Sequence, residues 1–429
     1  MKTLNQNLKI YVVSLGCPKN LVDTEELLAS LGGKYKLTNS LTQANIIILN
    51  TCAFIQPAVE ESLEHILNIS DKLKTFPQKP LFIVTGCLVN RYGSLSQEFP
   101  EVDIWLPIQE QKNLPKILQN YLCVGAKKSP SILTTSFAYL KISEGCNNKC
   151  SFCTIPFIRG KLCSLPISEV VAKAKHILNQ GKKELILVAQ DLTAYGRDLG
   201  YKFGLLHLLE QLAQLDFTWI RLLYLYPANI NKELLNFIVQ TKNILPYFDL
   251  PLQHSHPDIL QSMGRPFKIN PQQILDLIRC HITNPVIRST FIVGYPGETL
   301  EHFQHLKRFI INNKLQYVGL FTYYKENGTL AAQLPNHVAD PEKQSRYNEL
   351  MEIQQKITHN WLQKWEGQTL DIIIDSPHPE WPTLYEGRAW FQAPDIDGLT
   401  YVSGSNLQIG QIVPASIEEA KTYDLVALV

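Results

Sequence analysis

The sequence lacks a long apolar run. Although 45% of its 429 residues are hydrophobic, no uncharged apolar stretch approaches the roughly 20 residues that span a bilayer. The polar N-terminus also lacks the basic and then apolar pattern of a signal peptide. We therefore expect a folded protein of the cytoplasm with no membrane partner. Its length predicts two or three domains, because one core does not serve so long a chain.

A set of cysteines suited to a disulfide framework is also lacking. The chain has nine cysteines, an odd number, and a reducing compartment disfavours structural disulfides. Cysteines that cluster in such a chain indicate metal binding or catalysis instead. Their positions are therefore the first feature of this sequence that bears on function.

Three cysteines recur at a fixed interval in the N-terminal part of the chain. Cys17, Cys52 and Cys87 each follow an apolar run and are 35 residues apart, about one βα unit. Helical segments follow the first two, and the first helix is expected to have Asp23 or Thr24 as its N-cap. This alternation predicts a parallel sheet whose carboxyl edge binds ligands. Three thiolates at that edge favour a metal site; buried packing cysteines are the alternative.

A different pattern follows residues 124–136, which are small and polar and are predicted to be a linker. Six strand-like runs alternate with helical stretches, which predicts an open, partial (βα)6 barrel. In βα barrels the chemistry lies at the carboxyl ends of the strands. The runs are 139–143, 184–190, 219–227, 247–253, 286–296 and 317–324.

Basic residues are scarce at the end of the chain. A helical run at 340–365 precedes short strands separated by Pro, Gly and Asp turns, which predict a small five-stranded barrel of the oligomer-binding type. From residue 366 onward ten acidic residues stand against two basic ones, a net charge of −8. Such a barrel suits a basic protein better than a phosphate backbone. A merely solvated acidic surface is the alternative.

A second group of cysteines lies in one loop, SEGCNNKCSFC, after the first of the six runs. Cys146, Cys150 and Cys153 have spacings that let one loop wrap a cuboidal iron–sulfur cluster, and no fourth cysteine lies at ligand spacing. Three thiolates leave one iron open, and that iron can chelate S-adenosylmethionine (SAM) for reductive cleavage to a deoxyadenosyl radical. A zinc site is the alternative, but it normally needs four ligands.

A CxxxCxxC loop after a first barrel strand resembles the radical SAM superfamily. Together with three N-terminal cysteines and a terminal small barrel, it is similar to the methylthiotransferases over essentially the whole chain. The resemblance implies two [4Fe–4S] clusters, with SAM as cosubstrate, and a terminal domain of the TRAM type. The implied ligands are Cys17, Cys52 and Cys87 for an auxiliary cluster, and Cys146, Cys150 and Cys153 for the SAM cluster. The implied domains are an N-terminal methylthiotransferase domain (8–123), a radical SAM core (132–363) and a TRAM domain (366–429).

Several further motifs resemble one branch of this family, which modifies ribosomal small-subunit protein twelve. They include SLGCPKNLVDTE, NTCAFIQPAVEES, AQDLTAYGRD and APDIDGLTYVSG. The resemblance implies methylthiolation of the β-carbon of an aspartate in that protein, with the ribosome as a candidate setting and a reductant such as flavodoxin or ferredoxin. RNA contact is not expected to dominate. A MiaB-like tRNA adenosine methylthiotransferase and a non-catalytic iron–sulfur protein that binds ribosomes remain alternatives.

Residues that contact SAM are less clearly marked. GYPGE, with Gly294, Gly297 and Glu298, resembles the superfamily's region near the SAM adenine, although it also fits an ordinary strand-to-helix turn. Gln190 ends the second strand and could touch SAM, and Arg288 could pair with the SAM carboxylate. No catalytic residue is assigned beyond the cluster ligands.

Two further sets of residues have open roles. Gln253 and His254 end the fourth strand and could face the substrate, or form a satisfied polar pair. The family usually has other residues at the positions of Cys163, Leu165 and Tyr324. Whether this chain replaces the contacts of the family's usual residues stays open.

Overall fold

The computed structural model describes residues 8–32, 35–118, 135–265 and 270–429. It divides into two compact units, which are treated separately. Unit 1 comprises the described residues up to 118 together with 154–161, and unit 2 comprises 135–153 and 162–429. The expected domain limits at residues 123 and 132, and most of the predicted linker, lie outside the described residues. No helix in the described part of the chain is both long and apolar enough to cross a membrane.

Unit 1 is built on a five-stranded sheet in which every neighbouring pair is parallel, as the alternation of strands and helices predicts. The strand order is β2-β1-β3-β4-β5. The strands are β1 (Leu8–Ser14), β2 (Tyr35–Leu37), β3 (Ile46–Thr51), β4 (Leu81–Gly86) and β5 (Ile104–Leu106). The helices are α1 (Pro18–Ser30), α2 (Gln56–Leu73), α3 (Cys87–Arg91), α4 (Leu114–Ile117) and α5 (Ile155–Arg159). The central strand β3 is buried along its whole length, which explains its uninterrupted apolar sequence.

The first helix begins earlier than its sequence suggests. The prediction of Asp23 or Thr24 as N-cap was wrong, because α1 begins at Pro18 and Cys17 is the residue that precedes it. Proline suits a first helical position, since its fixed φ is helical and its missing N–H would have no partner there. Asp23 and Thr24 lie inside the helix and are buried, so their side chains serve tertiary contacts instead of a cap.

Unit 2 contains six parallel strands that form the predicted partial barrel. They pair as two three-stranded sheets, β6-β9-β10 and β11-β12-β13. Between the two sheets, Ile220 forms a parallel bridge with Ile244, and the Leu225 N–H donates to the Asp249 carbonyl at 2.9 Å. The strands are β6 (Phe137–Lys141), β7 (Ser143–Glu144), β8 (Cys163–Ser164), β9 (Glu184–Val188), β10 (Trp219–Leu222), β11 (Tyr247–Gln253), β12 (Val286–Val293) and β13 (Tyr317–Thr322). The short strands β7 and β8 pair with each other near the cysteine loop.

The helices of unit 2 cover this barrel. They are α6 (Ile167–Asn179), α7 (Gly204–Leu212), α8 (Lys232–Gln240), α9 (Pro257–Ser262), α10 (Pro271–His281), α11 (Leu300–Asn313) and α12 (Asp340–Leu362). Apolar side chains from the inner faces of all these helices except α9 pack with the strands into one continuous core, and α9 packs into a smaller apolar cluster. This packed core therefore supports the residues at the carboxyl ends of the strands.

The end of the chain forms a closed five-stranded barrel, as expected from its short strands. The strand order around it is β14-β15-β16-β18-β17. The strands are β14 (Thr369–Pro377), β15 (Leu384–Ala389), β16 (Thr400–Ser403), β17 (Ile412–Ala420) and β18 (Leu425–Leu428).

A buried ionic network joins this terminal barrel to the larger one. Glu184, the first residue of β9, accepts from Arg221 and from Arg388 of β15, each at 2.6 Å, and all three side chains are fully buried. Arg388 also donates to Asp375 of β14 at 2.6 Å. Because Glu184 opens its strand, the terminal barrel packs against the amino ends of the strands, the opposite end from the cysteine loop.

Candidate active site

The first three cysteines of unit 1 lie at the carboxyl ends of three neighbouring strands. Cys17 follows β1 and precedes α1, Cys52 follows β3, and Cys87 follows β4 as the first residue of α3. All are free thiols; Cys52 and Cys87 are buried and Cys17 is partly exposed. The parallel sheet therefore places these residues on the edge where the sequence predicts a metal site.

Glycines that precede two of these cysteines allow a close approach of the backbone. Gly16 has φ +89°, and a Cβ there would lie 2.8 Å from the Cys52 Sγ. Gly86 has φ +98°, and a Cβ there would lie 2.4 Å from the Thr51 carbonyl oxygen. Both positions require glycine, since other residues rarely adopt these angles and a side chain has no room. The packing at Gly16 brings the segments of Cys17 and Cys52 together.

A buried polar network lies beneath the same three cysteines. The Asn20 amide on α1 donates to the carbonyls of Leu15 (2.8 Å) and Thr51 (3.0 Å), which precede Cys17 and Cys52. Its side-chain oxygen accepts from Arg159 on α5. The Arg159 guanidinium also donates to Asp23 at 2.7 Å and to the Cys87 Sγ at 3.4 Å. Sequence reasoning did not find Arg159, because nothing in its local pattern links it to Cys87.

Two thiols of this triad, Cys52 and Cys87, have raised pKa values, so both are protonated at neutral pH when no cluster is bound. Burial raises the pKa of Cys52 to about 11, and the nearby Cys87 and Cys17 raise it further. Burial also raises the pKa of Cys87 above its usual value, while Arg159 opposes that rise. Three thiols that gather with a nearby cation suit an anionic iron–sulfur cluster.

The second cysteine group forms a firmly anchored loop in unit 2. Ser151, between Cys150 and Cys153, donates its N–H to the Met263 carbonyl at 3.0 Å, and its hydroxyl lies 2.8 Å from the Tyr295 hydroxyl. The Ser151 carbonyl accepts from the Ala331 N–H at 2.8 Å. The loop is therefore held from α9 and from the segments that follow β12 and β13.

The three cysteines of this loop are each partly exposed. The Asn148 N–H donates to the Cys146 Sγ at 3.4 Å, and Arg265 donates to the Cys150 Sγ at 3.6 Å. The Arg265 guanidinium also stacks over the Tyr226 ring at 4.3 Å from its centroid. Burial raises the pKa of Cys146 above its usual value. Three accessible sulfurs with backbone and guanidinium donors fit the chemistry of a cluster with one open iron.

Polar atoms without partners lie at the carboxyl ends of β9 and β11. Gln190 donates to Glu144 at 2.5 Å, but its Oε1 atom is buried and has no hydrogen-bond partner within the described residues. The same holds for Gln253 Oε1 and His254 Nε2. Gln253 also has φ +72°, a conformation that is strained for this residue and common at functional sites. Buried orphaned polar groups at this edge suit a polar ligand such as SAM.

The GYPGE segment forms a turn that is braced by α12. Glu298 is buried and accepts from the Gly294 N–H at 2.9 Å and from Arg346 at 2.6 Å. A Cβ at Gly294 would lie 2.2 Å from the Lys343 Cγ, whereas Gly297 faces open space. This is the geometry of the strand-to-helix turn, and SAM contact by these residues remains a prediction.

Arg288 is not brought to this edge. It is the third residue of β12, and its side chain donates to Asp397 at 2.7 Å and to the Ile396 carbonyl at 3.0 Å in the terminal barrel. Burial opposes its charge, but Asp397 and Asp249 hold its pKa above the usual value. The structure therefore gives Arg288 a place in the contact with the terminal barrel, away from the cysteine loop.

Several histidines lie beside β11 but are engaged in the fold. The nitrogens of His256 and His302 lie with a carboxylate oxygen of Asp258 within 4.8 Å of one another. However, His256 Nδ1 accepts from the Asp258 N–H and His302 Nδ1 accepts from the Thr299 N–H. These two ring nitrogens therefore accept hydrogen bonds at the starts of α9 and α11. His254 is fully buried, and burial holds its pKa well below its usual value.

The sequence matches three family models in order along the chain. They are described as uncharacterized protein family UPF0004 (residues 9–107), the radical SAM superfamily (140–310) and the TRAM domain (367–429). Among solved structures, the radical SAM methyltransferase TsrM from Kitasatospora setae has a TM-score of 0.54 at 10% identity and covers 74% of this chain and 73% of its own. This likeness concerns the fold alone.

Two relatives that match over almost their full length carry the same name. The ribosomal protein uS12 methylthiotransferase RimO of Lawsonia intracellularis is 47% identical over 100% of this chain and 99% of its own. The protein of the same name from Aquifex aeolicus is 42% identical over 97% of this chain and 96% of its own.

The fold and the cysteine sites define a radical SAM enzyme that uses SAM and two [4Fe–4S] clusters. More narrowly, the chain belongs to the family of ribosomal protein uS12 methylthiotransferases, RimO. The family, fold and cofactors expected from the sequence are thereby confirmed. Which residues bind the clusters and SAM stays a prediction.

Proposed function

We propose that this chain transfers a methylthio group to the β-carbon of an aspartate in ribosomal protein uS12. The observation that carries the proposal is the pair of three-cysteine sites in a chain whose relatives, matched over their full length, are named for this protein substrate. The same name favours a protein substrate over tRNA, and an enzyme over a non-catalytic binding protein. The ribosome as the site of action, the cytoplasm and a flavodoxin-like or ferredoxin-like reductant belong to the same proposal.

The two sites have different roles in this proposal. Cys146, Cys150 and Cys153 would hold the SAM cluster, and Cys17, Cys52 and Cys87 would hold the auxiliary cluster. When bound, these groups together with SAM supply the radical, the methyl group and the site for sulfur, chemistry that no side chain of the protein provides.

The chain's own residues bind and orient these groups. Asn148 donates to Asp191 at 2.8 Å and so positions the cysteine loop against the end of β9. The Oε1 atoms of Gln190 and Gln253, which have no hydrogen-bond partner among the described residues, provide polar contacts for SAM or for the substrate backbone at the same edge. The His254 Nε2 atom instead lies 3.7 Å from the buried Glu298 carboxylate. Filling the edge with ligand also excludes water, which prevents loss of the radical to side reactions.

The test is an anaerobic assay of reconstituted, reduced protein with SAM and uS12. We expect a mass increase of uS12 equal to replacement of H by SCH₃, located at one aspartate. The Cys150→Ala variant should form no deoxyadenosine. The Cys52→Ala variant should still form deoxyadenosine but should transfer no methylthio group.

Iron analysis separates the two sites. The full chain should hold about eight irons, and each single-site variant about four, because a cubane cluster contains four. Modified adenosine in tRNA with unmodified uS12 would contradict the proposal, and so would an absence of deoxyadenosine from protein that contains its full iron.

A further inference from the structure

In each cysteine site, the guanidinium of an arginine donates to a thiol sulfur. In unit 1 the pair is Arg159 and Cys87, with 3.4 Å between nitrogen and sulfur. In unit 2 it is Arg265 and Cys150, at 3.6 Å. Neither arginine lies in the cysteine motif that it contacts. They are separated from these cysteines by 72 and 115 residues along the chain.

Burial of the charged Arg159 side chain carries a desolvation cost in free energy. Its side chain is 2% exposed, as is that of Asp23, with which it forms an ion pair at 2.7 Å. Desolvation of such a pair often outweighs its attraction, so a buried ion pair is weak evidence of a role in stability. A positive group fixed against a ligand sulfur is, however, well suited to an anionic cluster.

The surrounding network fixes the direction in which Arg159 points. Asp23 holds one terminal nitrogen, and the Asn20 oxygen accepts from the nitrogen that reaches Cys87. Asn20 is itself held by the carbonyls of Leu15 and Thr51. The guanidinium is therefore preorganised toward the sulfur.

We propose that Arg159 is a positioning residue that makes the auxiliary cluster easier to reduce, by donating a hydrogen bond to the Cys87 sulfur. This inference rests on the proposed function, because it assumes that Cys17, Cys52 and Cys87 hold a cluster. Reduction adds one negative charge to a buried site, and donors to the ligand sulfurs stabilise that charge and raise the reduction potential. Arg265 has the corresponding role at Cys150.

The experiment uses full-length proteins that keep only one cluster. The triple variant Cys146→Ala/Cys150→Ala/Cys153→Ala retains the auxiliary site, and Cys17→Ala/Cys52→Ala/Cys87→Ala retains the SAM site. Midpoint potentials are measured by redox titration with electron paramagnetic resonance, in the absence of SAM and uS12. A failure of methylthio transfer therefore does not affect the readout, and a failure of this inference leaves the transfer assay unchanged.

The two arginines serve as controls for each other. Arg159→Gln should make reduction of the auxiliary cluster about tenfold less favourable, a shift of about 59 mV to more negative potential for one electron, and should leave the SAM cluster unchanged. Arg265→Gln should do the reverse. Arg159→Lys should give a smaller shift, because an ammonium keeps the charge but not the fork of donors. Equal shifts at both clusters from either variant, or no shift in protein with four irons, would overturn the proposal.

A second variant covers the case in which Arg159→Gln does not fold. The double variant Arg159→Gln/Asp23→Asn removes both charges, so that no carboxylate is left buried alone. It should bind four irons at the auxiliary site and show a negative shift that is smaller than that of Arg159→Gln, because the buried Asp23 carboxylate no longer adds its own charge beside the cluster. If this variant also loses its iron, Arg159 is needed for the fold of unit 1 and the proposal fails.

Discussion

At the scale of single residues, the requirement for glycine before Cys17 is steric as well as conformational. An alanine Cβ at Gly16 would lie 2.7 Å from the Cys52 Cβ and 2.8 Å from its Sγ. A left-handed conformation costs an alanine about 1–2 kcal/mol, and the collision adds to this cost at the cluster site.

Gly16→Ala is therefore expected to lower the iron content from about eight toward about four per chain. The SAM cluster and deoxyadenosine formation should remain. Gly181→Ala is the matched control, because Gly181 has φ +84° with no atom within 4 Å of a Cβ. A similar loss of iron from both variants would show that backbone strain alone is responsible.

Tyr295 is a second residue that can be tested, because the role of its hydroxyl can be separated from that of its ring. It lies 2.8 Å from the Ser151 hydroxyl and donates to the Ser262 carbonyl at 2.9 Å. Tyr295→Phe should loosen the cysteine loop by about 1 kcal/mol, which corresponds to about fivefold weaker SAM binding. Calorimetric titration of reconstituted protein measures this change.

Tyr323→Phe is the control for that experiment. Its ring packs against that of Tyr295 with centroids 5.5 Å apart, but its hydroxyl has no hydrogen-bond partner within the described residues. Removing it breaks no hydrogen bond to the cysteine loop, so SAM binding should weaken less than in Tyr295→Phe. Equal weakening by both variants would assign the effect to the ring packing and not to the hydroxyl that anchors the loop.

At the scale of elements, Glu184 links β9 to the terminal barrel. Burial alone would raise its pKa, but Arg221 and Arg388 lower it below the usual value of 4.5. A carboxylate with a lowered pKa stabilises the fold above its unfolded pKa, and this stabilisation is lost as the pH falls through the folded pKa. Acid should therefore weaken the contact between the two barrels below about pH 4.5.

Glu184→Gln should lower the unfolding free energy at pH 7 by about 3–5 kcal/mol, because it leaves two buried arginines without their charged partner. Its stability should also fall less steeply than that of the wild type below about pH 4.5. Thermal unfolding of the wild type and the variant, measured at about five pH values between about pH 3 and pH 7, tests both effects. Glu352→Gln, at an exposed position of α12, should follow the wild-type curve; parallel curves for Glu184→Gln would contradict the assignment.

At the scale of the whole molecule, the terminal barrel keeps its acidic character. Asp375 and Asp397 are paired with arginines, and Arg388, one of its two basic residues, is buried. Eight acidic residues then remain against Lys421. This acidic barrel lies at the amino ends of the strands of unit 2, so it would meet a part of a basic substrate that is remote from the reacting aspartate.

Neutralising this barrel should weaken substrate recognition without affecting the radical chemistry. In the full chain, Glu380→Gln/Glu418→Gln/Glu419→Gln, at three exposed positions, should raise KM for uS12 several-fold at low salt. Deoxyadenosine formation without uS12 should not change. Glu352→Gln again provides the control, and a KM that is insensitive to these substitutions and to salt would show that the acidic surface is merely solvated.

The sequence by itself determined the local features of this protein. Apolar periodicity predicted the parallel sheet, the six-stranded partial barrel and the terminal barrel. A strand that is buried on one face or on both faces needs apolar residues at fixed positions along the chain, and this pattern is visible in the sequence. Equal spacing placed Cys17, Cys52 and Cys87 at one sheet edge. The predicted start of α1 was wrong, because Pro18 begins this helix without a capping side chain.

Only the tertiary structure decided which distant residues meet these sites. Arg159 and Arg265 reach cysteine sulfurs, whereas Arg288 pairs with Asp397 of the terminal barrel. An isolated arginine has no periodic neighbours that reveal its partner, and its surroundings depend on how strands far apart in the chain are packed. The sequence therefore determined the cofactors and the fold, and the tertiary structure decided the charges around them.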